Sequence, residues 1–133
     1  MKKIEDTHHK EIVKYLRVLQ KTNKIITFFA PINETRVRSN NKLLNTQIAN
    51  KEYSMGKLKG VSDLVIVFKD KVLFLEMKQP LKKLKNGMFT NSHSKPTDEQ
   101  IKFLECVNNS YVCVGMVGYG YLHAKQIIDE CLK

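Results

Sequence analysis

The chain has 133 residues, enough for a single domain around one hydrophobic core, and carries 23 basic against 13 acidic residues, a formal net charge of +10. Its N-terminus, Met1-Lys2-Lys3-Ile4-Glu5-Asp6, has no apolar signal core, and no apolar run approaches a membrane span. Cys106, Cys113 and Cys131 are odd in number and lack a CxxC spacing, which argues against a disulfide framework or a cysteine zinc site. A soluble, intracellular (cytoplasmic) protein with a polyanion partner is the expectation. Nucleic acid and an anionic membrane surface both satisfy the charge, but no strongly basic amphipathic helix supports the membrane.

From about Asp6 to Lys21 the apolar spacing predicts a helix, with Ile12, Leu16 and Leu19 on one stripe. Ile25 to Ala30 reads as a strand ended by Pro31. A polar segment, Asn33 to Asn41, precedes a helix from Lys42 to about Glu52. Two apolar strands follow around a charged turn, Leu64 to Phe68 and Lys71 to Leu75. After Lys78, Pro80 ends the pairing and a basic loop runs to Lys95. Thr97-Asp98-Glu99-Gln100 has the form of a capping box opening a helix through about Val107. Tyr111 to Val117 is a further strand, Gly118 and Gly120 bracket a turn, and Tyr121 to Leu132 is the last helix. This order predicts an α/β domain over residues 1–133, a central mixed β-sheet flanked by α-helices.

The central hairpin concentrates the chemistry. With Lys69 and Asp70 in the turn and Phe68 facing Lys71, an antiparallel ladder sets Val67 opposite Val72, Val65 opposite Phe74 and Asp63 opposite Glu76. Directly opposed residues share a face, with β-carbons roughly 4.5–5.5 Å apart. Two carboxylates so placed repel unless one is protonated or a cation lies between them. Lys78, two residues beyond Glu76, projects from the same face. Strands this apolar are buried on both faces, and a buried carboxylate pair is costly without compensation. A divalent metal site with a lysine beside it is the simplest reading; solvated strand-end charges are the plain alternative.

Gly60-Val61-Ser62-Asp63-Leu64 followed by Glu76-Met77-Lys78 resembles the motif pair of the PD-(D/E)XK nuclease superfamily, the restriction-endonuclease-like fold. The closer likeness is to its VRR-NUC (virus-type replication-repair nuclease) group, related to Holliday junction resolvases. Phe28-Phe29-Ala30-Pro31-Ile32-Asn33-Glu34 and Asp98-Glu99-Gln100 resemble two further elements of that group. Ser62 stands where the group has proline, and Ile32 separates Pro31 from Asn33.

The resemblance implies that Asp63, Glu76 and Lys78 are catalytic. Asp63, Glu76 and the Met77 backbone carbonyl would hold Mg²⁺ or Mn²⁺, which prefers oxygen ligands and retains several waters. It also implies an acidic residue on the first helix near the metal, for which Glu11 is the candidate; Glu11 can equally pair with Lys14 at i+3. Gln100 is either a near-site residue or only the capping-box glutamine. His8, His9 and His93 are read as surface residues outside the site, and Gly118-Tyr119-Gly120 as a turn, since a nucleotide-binding glycine pattern is incomplete.

Lys82, Lys83, Lys85 and Lys95, with Arg36 and Arg38 across the groove, are the expected phosphate contacts, which position DNA without reading its sequence. The function expected from the resemblance is a metal-dependent, structure-selective DNA endonuclease acting on branched DNA, in its sharpest form a homodimeric Holliday junction resolvase. The alternatives are a catalytically inactive basic nucleic-acid-binding module and a defence or restriction-type nuclease.

Overall fold

The computed structural model describes residues 2–31, 40–90 and 94–133, without the side chains of Lys2 and Lys3. Helix α1 spans Lys2–Lys21 and leads to strand β1, Thr27–Phe29; helix α2 covers Lys42–Ser54. Strands β2 (Leu64–Val67) and β3 (Val72–Lys78) form the central hairpin. A small hairpin follows, β4 (Lys82–Lys83) and β5 (Phe89–Thr90), then helix α3 (Asp98–Val107), strand β6 (Cys113–Tyr119) and helix α4 (Gly120–Leu132).

The main sheet has the order β1-β2-β3-β6. Its first two pairings are antiparallel, and β3 pairs with β6 in parallel. It is therefore a mixed four-stranded sheet packed against helices. The parallel pairing requires a crossover connection, and this crossover contains both the small hairpin and α3.

Alternation along the central strands divides the packing. Leu64, Ile66, Leu73, Leu75 and Met77 join Ile12, Leu16 and Leu19 of α1 and Ala124, Ile127 and Ile128 of α4 in one buried cluster. The opposite face carries Phe74, which meets Phe103 of α3 edge-on at 5.5 Å between ring centroids. That face also carries Glu76 and Lys78 toward the strand end. A polar latch ties α1 to α4: the Tyr15 hydroxyl donates to Asp129, which accepts a second bond from Lys125 at 2.8 Å.

The open edge of β6 is partly closed by a side chain. Asn108 accepts from the Gly115 N–H at 2.7 Å and donates to the Gly115 carbonyl at 3.0 Å, occupying both backbone groups as a neighbouring strand would.

The expected elements are observed, with shifted bounds and one added hairpin; strand β1 is shorter than the expected Ile25 to Ala30, and β6 begins at Cys113 rather than Tyr111. Helix α1 begins at Lys2 rather than Asp6, which brings Glu5 into the helix. Gly118 lies inside β6, and the turn narrows to the Tyr119–Gly120 junction. The expected basic loop contains the β4–β5 hairpin, with Lys82 opposite Thr90 and Lys83 opposite Phe89. No helix among the described residues is long and apolar enough to cross a membrane.

Candidate active site

The β2–β3 turn sets the register on which the site depends. The Phe68 N–H donates to the Lys71 carbonyl at 2.8 Å, closing the turn around Lys69 and Asp70. Val67 pairs with Val72, Val65 with Phe74 and Leu64 with Leu75. The next step places Asp63 at the level of Glu76. There the ladder gives way to a side-chain contact, in which an Asp63 carboxylate oxygen accepts from the Met77 N–H at 2.8 Å. The strand approach is held by buried Ser62, whose hydroxyl donates to the Leu64 carbonyl at 3.2 Å.

Glu76 is the centre of the site. It is only 2 % exposed. Its Oε1 accepts from the Gln100 side-chain amide at 2.6 Å and lies 3.7 Å from the Lys78 ammonium. Its Oε2 is buried and has no hydrogen-bond partner among the described residues. Burial, followed by the charge of Asp63, pushes its carboxyl group up to about 8, against the opposing attraction of Lys78. An oxygen with no donor, beside a second carboxylate, is an environment that a cation or a proton completes.

Gln100 caps α3 and also reaches Glu76. Its backbone N–H donates to the Thr97 hydroxyl at 3.2 Å, and its side-chain oxygen accepts from the Thr97 N–H at 2.8 Å, forming the capping box of α3. With that oxygen engaged, the NH₂ end of the amide is turned to Glu76. Thr97→Ala is expected to lower stability by about 1 kcal/mol, the usual scale for losing a helix cap. Gln100→Ala is expected to cost more, about 1–3 kcal/mol, because it also strips the donor from a buried carboxyl oxygen. Denaturant melts of the two variants measure the difference.

Glu11 is not brought to this site. Its side chain is 48 % exposed and pairs with Lys14 at 3.4 Å, the i+3 alternative. The acidic residue of α1 that faces the site is Glu5. Its carboxyl is raised by burial first, with Lys78 pulling it down and Asp63 pushing it up, and it contributes in turn to the rise at Glu76. The reason is angular. At 3.6 residues per turn, positions seven apart nearly coincide, so Glu5 continues the buried line of Ile12, whereas Glu11 is rotated by about 100° from it.

His8 is not a plain surface residue. Its Nδ1 accepts from the Tyr121 N–H at 2.8 Å, joining α1 to the first turn of α4. Lys82, Lys83, Lys85 and Lys95 are all exposed, the first three on or beside the β4–β5 hairpin. Arg36, Arg38, His93 and the segment 32–34 lie outside the described residues.

The donor set suits a hard dication. No group of three or more His, Cys, Asp and Glu side chains among the described residues could hold a metal ion. The protein's share would be two carboxylates and a backbone carbonyl, with water completing the shell, as Mg²⁺ tolerates and structural zinc does not. A scan against protein-family models finds no match, and searches of curated proteins and of solved structures find none either.

Proposed function

We propose that this chain is a metal-dependent, structure-selective DNA endonuclease of the PD-(D/E)XK type, built on a restriction-endonuclease-like fold and nearest to the VRR-NUC group. The observation that carries the proposal is the partnerless, buried Oε2 of Glu76, set opposite Asp63 with Lys78 at 3.7 Å. Glu52, paired with Lys57, also has a buried oxygen without a partner among the described residues; what sets Glu76 apart is the second carboxylate, Asp63, beside it, a repulsion that a shared proton or a bound cation relieves.

Asp63, Glu76 and the Met77 carbonyl would hold Mg²⁺ or Mn²⁺, with Glu5, in place of Glu11, positioned to accept from water in the outer shell. When bound, the ion supplies activation of water and charge relief at phosphorus. Lys78 then orients the attacking water or offsets the charge developing on the phosphoryl oxygens. Gln100 keeps Glu76 in one rotamer through the reaction. The exposed lysines after β3 hold the phosphate backbone. In the sharpest form of the proposal, a homodimer presents two such sites to two strands of a four-way junction, since two-fold symmetry suits paired incision.

Labelled four-way junction, flap, single-stranded and linear duplex DNA, incubated with Mg²⁺, Mn²⁺ or EDTA, test this reading. Paired nicks in the junction with either metal and none in EDTA are expected. Metal-dependent cleavage favouring another structure would retain the nuclease and discard the resolvase. Tight binding without cleavage under any metal would leave a nucleic-acid-binding module.

A further inference from the structure

The small hairpin that follows the Glu76-Met77-Lys78 strand is built with more care than a linker needs. The Leu84 carbonyl accepts from the Gly87 N–H at 3.0 Å, and the Leu84 N–H donates to the Met88 carbonyl at 2.7 Å. Asn86 Oδ1 accepts from the Met88 N–H at 3.0 Å. Gly87 has φ of +84°, the left-handed residue that closes a three-residue hairpin loop. At its base, the Gln79 N–H donates to the buried Ser94 hydroxyl at 2.9 Å, clamping the two ends together.

Every residue from Pro80 to Phe89 is nevertheless exposed. Phe89 and Met88 are 62 % and 65 % exposed, and Leu84 is exposed as well. A two-stranded hairpin is marginal on its own in water. Apolar side chains held out on one, among Lys82, Lys83 and Lys85, call for an occupant that is both anionic and flat-faced. The register makes this specific: Lys83 and Phe89 are directly opposed and share one face. A single nucleotide offers that pair of groups, a phosphate for the ammonium and a base for the ring.

We propose that the β4–β5 hairpin is a base-stacking element, with Phe89 receiving an unpaired base while Lys83 holds the adjacent phosphate. A base inside a duplex presents only its edges, so Phe89 can be used only where the strand is single, gapped or branched. Lys83 follows Lys78 by five residues, so their Cα atoms are within about 18 Å. With one charge per ~3.4 Å along each strand, the phosphate held by Lys83 lies within roughly five nucleotides of the phosphate at Lys78. The inference rests on the nucleic-acid partner of the reading above and gives its substrate class: DNA with an unstacked base within a few nucleotides of the cleaved bond.

The chain contains no tryptophan, so Phe89→Trp installs a single tryptophan at the stacking position, excited selectively over the tyrosines. In EDTA, where no hydrolysis proceeds, its emission is expected to be quenched by a labelled single-stranded oligonucleotide and little changed by a blunt duplex of the same sequence. Anisotropy titrations should show Phe89→Ala binding the single strand about 5- to 150-fold more weakly, the range for loss of one stacked base, with duplex binding changed less than twofold. Binding of the oligonucleotide without quenching of Phe89→Trp would overturn the stacking role. So would an equal loss of both ligands in Phe89→Ala. Quenching without any metal-dependent cleavage would support the hairpin and overturn only the nuclease; no binding of either DNA would overturn both.

Discussion

Glu76→Gln is expected to abolish metal-dependent cleavage, by at least about 10²–10³-fold on the scale of removing one charge-stabilising group, while making the metal-free protein more stable at neutral pH. The two effects share one cause. Glu76 is buried next to Asp63, and its carboxyl is pushed up to about 8 from an ordinary value of 4.5. Between those two values the folded state holds a proton that the unfolded chain has lost. The stability contributed by that proton is fully present below about 4.5 and is lost as pH rises through about 8. Glutamine keeps the Oε1 acceptor for Gln100 and cannot ionise. In EDTA, the stability of the variant relative to the wild type should therefore grow from pH 5 to pH 8.5, by an amount on the order of a few kcal/mol. Added Mg²⁺ should raise the melting temperature of the wild type increasingly with pH, because a ligand must lose its proton to bind, and should leave the variant unmoved. Parallel melts of the two proteins across this range decide the matter. A variant less stable than the wild type at pH 8 in EDTA would mean that Glu76 is satisfied by its neighbours and awaits no cation.

The second large effect is expected at Gly60, outside the charged cluster. Gly60 has φ of +81°, and a β-carbon there would come within 2.4 Å of the Glu99 carbonyl oxygen and 2.8 Å of the Gln100 nitrogen. The contact is with backbone at the start of α3, so no side-chain rotation relieves it. Gly60→Ala combines left-handed strain of about 1–2 kcal/mol with overpacking of about 1–3 kcal/mol, so a loss of about 2–5 kcal/mol is expected. Gly87 supplies the control, with a nearly identical φ of +84° and nothing within 4 Å of an added β-carbon. Gly87→Ala should show the strain alone. Denaturant unfolding of both variants separates the two costs. Because α3 carries Gln100, the Gly60 variant should also lose the hold on Glu76 and cleave more slowly than its residual folded fraction allows. Equal destabilisation at the two glycines would mean that α3 yields freely and does not fix the site.

The hairpin register was legible in the chain because strand side chains alternate strictly and the apolar runs meet at a charged turn of set length. That was enough to put Asp63 and Glu76 at one level. From local spacing Gln100 was legible as a helix cap, since Thr97 is three residues away; a place near Glu76, twenty-four residues away, was suggested only by the resemblance. Glu5 was hidden by reading the helix as starting at Asp6, just after it, although its spacing of seven from Ile12 was available. The β4–β5 hairpin left a weak trace in Asn86-Gly87, a turn pair whose flanking strands are only two residues each.

The sequence by itself determined the order of the helices and of the main-sheet strands, the pairing of the central strands and the net positive charge, because these follow from local periodicity, turn chemistry and composition. Only the tertiary structure decided which acid of α1 faces Lys78, which way the Gln100 amide points, and that one oxygen of Glu76 is buried without a donor. Those features depend on how α1 and α3 pack on opposite faces of the sheet and meet at its end. An electrostatic environment is a property of every group brought within a few ångströms, however far apart they lie along the chain.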